Sequence, residues 1–333
     1  MINNPDEVIE IAKSNTGIII PCNKLHSAPL GKWISCSTTD KPKSTAGRFK
    51  VESYCIHFKN WQTDTQYTYF FNKLQNKKLT LAERKQLQQQ INQKIADDKA
   101  KQEQEKIKNV NYYRSKFLQF KPCIRHKYAD RKGLQNLHHY NFKIDNFDRL
   151  VIPFFNTNGI MTGYQTIMPY KVPNNPDKRI FGSYNGCYWQ FPHVNIDPGI
   201  YNSTNSFYLL GEGIATVLSA YEAIHQYWEK QIFCCYALCG FSANNLSNVI
   251  QATSHYNLPY YLLVDNDADK RFNTGFRNAK QLILDNPSVA IYPIAFGGNK
   301  SIDANDYILV NGYSNFCRLL SKQTNINQLI AKG

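Results

Sequence analysis

The sequence predicts a mixed α/β and α+β protein of 333 residues, with a small doubly wound sheet in its C-terminal part. Three observations lead to this class. Apolar strand-like runs alternate with helical stretches after residue 206. Two strand-like runs near residue 160 are joined by a tight turn. Short β-like runs fill most of the first 72 residues. We therefore expect a β-rich N-terminal domain (1–76), a helical linker (77–120), a basic α+β subdomain (121–200) and the doubly wound domain (201–333).

The N-terminal domain combines strand-like runs with interleaved aromatic and cationic residues. The runs lie at 18–20, 31–34, 48–51 and 54–58. Such a pattern fits a surface on which the bases of a single strand stack. It equally fits aromatic side chains that fill a small β core, and the sequence leaves both interpretations open. The residues concerned are Trp33, Arg48, Phe49, Tyr54, Lys59 and Trp61, with Trp61 taken as the candidate for DNA contact.

A long helix is predicted next. Thr80 and Glu83 have the spacing of a capping box. No proline or glycine occurs from there to Phe120, and few large apolar residues follow Ile95. We expect a mostly solvated helix that ends before Pro122 and joins two domains.

The middle segment predicts a basic patch followed by a hairpin. Residues 125–133 are densely basic. Residues 148–155 and 160–167 predict two strands around the turn at 156–159. A proline-rich loop follows, and then the run at 178–181.

The C-terminal part predicts a sheet flanked by helices. The strands are expected at 207–210, 232–237, 260–264 and 289–295, and the helices at 214–228 and about 275–285. The glycines near residue 298 lack the spacing of a P-loop, so we expect no ATP-driven motor.

Acidic residues follow two of these predicted strands. Glu212, flanked by glycines, follows residues 207–210, and Asp265 and Asp267 follow residues 260–264. Residues i and i+2 of an extended chain share a face, and paired carboxylates raise each other's pKa unless a cation lies between them. Hard ions such as Mg²⁺ prefer oxygen ligands. If the strands are parallel neighbours, the three acids meet at the edge where open α/β sheets bind ligands.

This spacing of strand-ending acids resembles the Toprim domain of primases and topoisomerases. The stretches 149–153, 158–159, 163–165 and 178–181 resemble the basic subdomain before Toprim in bacterial replicative primases. The stretches 126–133 and 303–307 are more similar to primases of conjugative plasmids, phages and integrated elements. The resemblance covers roughly residues 120–312. Those families begin with a zinc ribbon or a divergent module. No Cys-x-x-Cys occurs here, so we expect no zinc.

The resemblance implies a DNA primase, a nucleotidyltransferase that makes short RNA primers from NTPs on a single-stranded DNA template. It implies two or more Mg²⁺ or Mn²⁺ ions, a separate replicative helicase as partner, and service to a plasmid, phage or mobile element. Under this hypothesis the acids Glu212, Asp265 and Asp267 bind the metal, with Glu212 alternatively acting as a base. The other expected roles are an outer set of metal ligands (Asp269, Asp303, Asp306), triphosphate contacts (Lys178, Arg179, Lys270, Arg271) and template phosphate contacts (Lys127, Arg131, Lys132, Arg149).

Simpler interpretations stay open for some of these residues and for the function. Asp303 and Asp306 fit turn formers, and Lys270 and Arg271 fit solvated side chains. A Toprim nuclease would use similar acids to cut, and a non-catalytic single-strand-binding replication factor would use none of them.

Charge and composition limit which binding partners and which cellular compartment we expect. The formal net charge is +14, with 27 Lys and Arg against 14 Asp and Glu in residues 1–150, and 12 against 11 thereafter. This asymmetry favours a nucleic-acid partner, although a Lys-rich soluble surface also explains it. No run approaches the ~20 apolar residues of a membrane span, so we expect no membrane partner. The polar N-terminus and nine scattered cysteines favour a reduced, cytoplasmic protein.

Overall fold

The computed structural model describes residues 4–42, 45–52, 55–71, 81–135, 137–171, 176–192, 206–229, 233–269, 273–298 and 300–325. The chain forms two compact units, Met1–Lys99 and Ala100–Gly333. The predicted four-part division stays a prediction. All nine cysteines are free.

The first unit contains an antiparallel sheet of five strands in the order β1-β2-β3-β4-β5. One face packs against helix α1 through a core that includes Phe49, Ile56 and Phe58. The elements are α1 (Pro5–Thr16), β1 (Ile18–Ile19), α2 (Cys22–His26), β2 (Trp33–Thr38), β3 (Gly47–Val51), β4 (Cys55–Asn60) and β5 (Thr65–Phe70).

Helix α1 is absent from the sequence interpretation, which expected only strands here. Its signals are local and readable. Asn4 caps the helix by accepting the Glu7 N–H, and Pro5 occupies the first turn. Gly17 ends the helix in the left-handed conformation, with φ of 66°.

Helix α3 (Leu81–Gln119) agrees with the predicted long helix, and it contains the boundary between the two units. Thr80, the first residue of the predicted capping box, lies outside the described residues.

The second unit contains an antiparallel sheet of five strands in the order β10-β9-β8-β7-β6. The predicted hairpin is confirmed, since Leu150 pairs with Ile167. One face packs on the end of α3 through Phe117 and Tyr164. The elements are β6 (Lys121–Pro122), α4 (Lys127–Arg131), a 3-10 turn (Leu137–Tyr140), β7 (Lys143–Ile144), β8 (Leu150–Phe155), β9 (Met161–Ile167) and β10 (Lys178–Gly182).

The second unit also contains the predicted sheet with helices on both faces, in the strand order β11-β13-β12-β14-β15. All pairs are parallel except the one made by β11. The elements are β11 (Trp189–Phe191), β12 (Ser206–Gly211), α5 (Ile214–Tyr227), β13 (Cys234–Cys239), α6 (Ala243–Thr253), β14 (Tyr260–Val264), α7 (Thr274–Asp285), β15 (Ile291–Ala295) and α8 (Ala304–Gln323).

The two faces of this sheet bury different sets of residues. Phe207 and Leu209 pack with α5 and α8, in a core that continues into the face of the antiparallel sheet bearing Ile152. Tyr208 and Leu210 pack with α6 and α7. The sequence interpretation missed α6 and α8, and it placed β13 two residues too early.

Candidate active site

The structure confirms that β12 and β14 are parallel neighbours, with Leu210 opposite Leu262. Glu212 follows the first strand and Asp265 follows the second. Helix α5 packs closely on the end of β12, because a Cβ at Gly211 would lie 2.8 Å from a methyl group of Val217 in α5. The two acids therefore come from the carboxyl ends of adjacent strands.

Asn266 holds the chain between the two aspartates. Its buried side-chain amide donates to the carbonyl oxygens of Phe296 (2.9 Å) and Gly298 (3.2 Å), and its Oδ1 accepts from Asn273 at 2.6 Å. Its backbone exchanges two hydrogen bonds with Ile302, each 2.9 Å long. Asn266 thus fixes the local backbone, and alternation directs Asp265 and Asp267 away from the Asn266 side chain.

Asp265 has the most perturbed environment of these acids. Its Oδ1 is buried, with no hydrogen-bond partner among the described residues. The pKa of Asp265 is raised from 3.8 to about 7, chiefly by burial and then by the charges of Asp303, Glu212 and Asp267, with Lys178 acting in the opposite direction. A strongly raised carboxyl pKa with specific charged neighbours is typical of a functional site.

Asp303 joins this group from the start of α8. Its Oδ1 caps the helix by accepting the Asp306 N–H at 2.8 Å, and its Oδ2 accepts from the Thr216 hydroxyl at 3.3 Å. Asp303 therefore forms the turn at the start of α8, as the simpler interpretation expects. Its charge also raises the pKa of Asp265. Asp306 pairs with Lys132, with Nζ 2.9 Å from Oδ1.

These acids open onto a cleft of about 690 Å³ between the two sheets of the second unit. Cationic residues from α4, the loop after β9 and strand β10 also line it. Acidic and basic side chains therefore share one cleft. Its charged lining residues are Arg131, Lys132, Lys171, Asp177, Lys178, Glu212, Asp265, Asp303 and Asp306.

The structure separates the predicted pair Lys178 and Arg179. Lys178 lines the cleft, close enough to lower the pKa of Asp265. Successive strand residues point to opposite faces, so Arg179 lies on the face of Phe181, which packs in the cluster around Phe117. The structure does not bring Arg179 to the cleft.

Two of the predicted template-binding cations lie near the ring of Tyr170, which lines the cleft. Lys127 Nζ lies 4.8 Å from the ring centroid of Tyr170, and the guanidinium carbon of Arg131 lies 5.8 Å from it. Arg131 also donates to the carbonyl oxygen of Pro169. The side chain of Tyr170 is exposed.

The remaining predicted site residues lie elsewhere. Arg149 binds the buried carboxylate of Asp145, with Nη2 2.6 Å from Oδ2, and it is only 20% exposed. Asp269 accepts a hydrogen bond from Ser301. Trp61 is an exposed residue of the first unit. Lys270 and Arg271 lie outside the described residues.

The acid group fits a divalent cation by its chemistry. Oxygen donors suit Mg²⁺, and the orphaned Oδ1 of Asp265 lacks the partner that a buried carboxylate requires. Across the described ranges, no three His, Cys, Asp or Glu side chains already converge into a ready-made metal site. A bound cation would have to draw these carboxylates together.

Sequence reasoning missed several residues that build this site. Asn266 separates the two acids, and Gln165 and Asp177 line the cleft. Gly275 packs directly on the backbone of Asp265. Asn266 could have been found from the sequence, because it is a polar residue between two acids that follow a strand. No local feature of the sequence marks Gln165, Asp177 or Gly275 as site residues.

Comparison with solved structures finds primase catalytic cores at low similarity. No protein-family model and no curated protein matches the chain. The Aquifex aeolicus primase (zinc-binding and RNA polymerase domains) is 17% identical, with 60% of this chain and 48% of that chain covered and a TM-score of 0.36. A DnaG primase catalytic domain bound to single-stranded DNA is 10% identical, with 64% and 78% covered and a TM-score of 0.45. The E. coli primase catalytic core is 14% identical, with 56% of each chain covered and a TM-score of 0.35.

The chain's own fold is a mixed α/β arrangement of several sheets. The chain spans about half the length of the Aquifex aeolicus fragment. Within the described part of the chain, no helix is long and apolar enough to cross a membrane.

Proposed function

We propose that this chain is a DNA primase that makes short RNA primers on single-stranded DNA by metal-dependent nucleotidyl transfer. One observation carries the proposal. The buried Asp265 carboxylate has an Oδ1 with no hydrogen-bond partner in the described structure, and it lies where two parallel strands end beside Glu212. A cation is the partner such a carboxylate requires, and polymerase-type phosphoryl transfer uses cations held in this manner.

The acids would hold the ions in an arrangement of the Toprim type. Glu212, Asp265 and Asp267 would be ligands, with Asp303 beside them. Divalent ions bound there would neutralise charge on the attacking and leaving oxygens. The chain's own contribution is positioning, since the strand ends and the Asn266 anchor set where the acids lie.

The cationic lining would hold the nucleotide and the template. Lys178, near Asp265, would orient the triphosphate and stabilise its developing charge. Lys132 is kept in the cleft by its ion pair with Asp306. Arg131 and Lys127, both close to the Tyr170 ring, would contact template phosphates.

A nuclease with the same acids is the competing function. The four cations of the cleft would bind the phosphates of either substrate, so it is the resemblance of the basic subdomain to that of primases that favours synthesis. We extend the proposal to replication of a plasmid, phage or mobile element, with a separate helicase supplying the single strand. The resemblance of residues 126–133 and 303–307 to primases of such elements supports this extension.

The direct test is primer synthesis by the full chain. The protein is incubated with single-stranded templates, labelled NTPs and Mg²⁺ or Mn²⁺, and the products are separated by size. We expect short RNA products that disappear in Asp265→Asn and Glu212→Gln. A parallel reaction with end-labelled DNA reports cleavage, which would identify a nuclease. DNA binding without synthesis or cleavage would identify a non-catalytic factor.

A further inference from the structure

The first unit has one covered and one outer sheet face. Helix α1 packs on the covered face, where Phe49 and Phe58 are fully buried. Strand register places the alternate residues on the other face. We call this the outer face. It carries two rows across β2, β3, β4 and β5, the first formed by Trp33, Lys50, His57 and Thr68 and the second by Ser35, Arg48, Lys59 and Gln66.

Trp61 extends the outer face at the turn after β4, where the backbone holds it firmly. Its N–H donates to the carbonyl oxygen of Ala46 at 3.1 Å. The preceding residue, Asn60, is buried and donates from its side chain to the Thr16 carbonyl at 2.8 Å. The indole nevertheless remains 59% exposed, and Lys59 Nζ lies 4.0 Å from its ring centroid.

Trp33 repeats this pairing of an exposed indole with a cation. It is 50% exposed, and Lys50 Nζ lies 5.7 Å from its ring centroid. The ring of His57 lies 6.5 Å away at an angle of 47°. Two exposed indoles, each beside a lysine, therefore lie on the outer face.

We infer that the outer face is a binding surface for single-stranded DNA. Trp33 and Trp61 would stack on bases, while Arg48 and Lys59 would follow the phosphates. Lys50, whose side chain is only 13% exposed, would support Trp33.

Stacking, rather than charge alone, has to carry the recognition. Two of the three cations already have acidic neighbours, with Lys50 Nζ 2.9 Å from Glu52 and Lys59 Nζ 3.5 Å from Asp64. The surface would therefore prefer unpaired bases to a duplex, whose bases are already stacked. The choice of DNA over RNA rests on the proposed function, which needs a single-stranded DNA template.

The test measures the affinity of the full chain for a fluorescent single-stranded oligonucleotide. Trp33→Ala and Trp61→Ala should each weaken binding about five-fold to about a hundred-fold, as for loss of one stacked base. Trp61→Phe should retain most of the affinity. The slope of the logarithm of the binding constant against the logarithm of the salt concentration should be unchanged in the Trp variants. In Lys59→Gln this slope should be shallower by about 0.7 for each phosphate that is no longer neutralised.

Tyr67→Ala is the matched control. Tyr67 is 40% exposed and lies in the same sheet, but it pairs with Phe58 on the covered face. Its removal should leave the affinity unchanged. The inference is overturned if the Trp variants bind single-stranded DNA as the wild type does, or if they lose as much affinity for duplex DNA as for single-stranded DNA. It is also overturned if the wild type binds single-stranded RNA more tightly than single-stranded DNA. If a Trp variant is destabilised, as shown by a lower melting temperature, the affinities of Arg48→Gln and Lys59→Gln for single-stranded DNA test the inference in its place.

The inference and the proposed function can fail separately. Glu212→Gln should retain the Trp-dependent affinity while losing synthesis. A wild type that binds through Trp33 and Trp61 but makes no primers overturns only the primase proposal. A wild type that makes primers, while its Trp variants bind normally, overturns only the outer-face inference.

Discussion

A Cβ atom at Gly275 would overlap the carbonyl oxygen of Asp265. The first turn of α7 therefore rests directly on the backbone of the acid at the centre of the candidate site. The overlapping atom belongs to the backbone, so a change of side-chain rotamer cannot relieve the overlap. Any residue larger than glycine must displace either α7 or Asp265.

We expect Gly275→Ala to lower both stability and activity. Overpacking of this kind costs about 1–3 kcal/mol, and displacement of Asp265 should reduce primer synthesis at any Mg²⁺ concentration. Thermal unfolding and the synthesis assay measure the two effects. Gly297→Ala is the control, since among the described residues no atom other than those of its chain neighbours lies within 4 Å of the position of its Cβ. Equal behaviour of the two variants would contradict the packing argument.

Asp265→Asn separates the charge of the carboxylate from its shape. Primer synthesis should fall by several orders of magnitude if the carboxylate binds a catalytic ion. Without metal the melting temperature should hold or rise, because a buried charge near three acids is removed. Mg²⁺ should raise the melting temperature of the wild type more than that of the variant. Equal stabilisation of both would exclude Asp265 as a ligand.

The raised pKa of Asp265 predicts a pH dependence of stability in the absence of metal. The folded state holds the proton up to about pH 7, whereas the unfolded chain releases it near the usual value of 3.8. The contribution of this group to the free energy of unfolding should therefore be largest below pH 4 and should decline as pH rises to about 7. Its slope is at most about 1.4 kcal/mol per pH unit.

Chemical denaturation between pH 4 and 7, in the presence of a chelator, measures this contribution as the difference between wild type and Asp265→Asn. That difference should shift in favour of the variant as pH rises. A difference that stays constant over the interval would mean that Asp265 titrates at its ordinary pKa.

Lys178 and Arg179 provide a test of which face of β10 meets the substrate. Lys178→Ala should raise the KM for NTPs and weaken template binding less, because Lys178 lines the cleft beside Asp265. Arg179→Ala removes a neighbouring cation on the opposite face and should change NTP use little. Steady-state kinetics and DNA titrations on both variants decide the point. A larger kinetic effect from Arg179→Ala would reverse the assignment.

Local signals along the chain were sufficient to locate the principal acids on their elements. The apolar run of β14 is long enough to form a buried strand, and the polar residues after it can only follow its end. Glycines around Glu212 mark the corresponding turn after β12. Strand boundaries and the alternation of strands with helices could therefore be predicted for much of the C-terminal part. Helices α1, α6 and α8 were not predicted, although the caps of α1 are readable in the sequence.

Which side chains meet depends on the three-dimensional packing. Asp303 follows Glu212 by some ninety residues, yet α8 brings it into the same cleft. Arg149 is bound by Asp145, and Lys178 and Arg179 diverge. Among the interleaved aromatics, Phe49 is buried while Trp33 and Trp61 are exposed. The Arg149–Asp145 pair is local, since four residues separate its members, and strand alternation alone separates Lys178 from Arg179. The other cases have one common cause. Burial and packing depend on which distant segments cover a face, and local spacing carries no record of that choice.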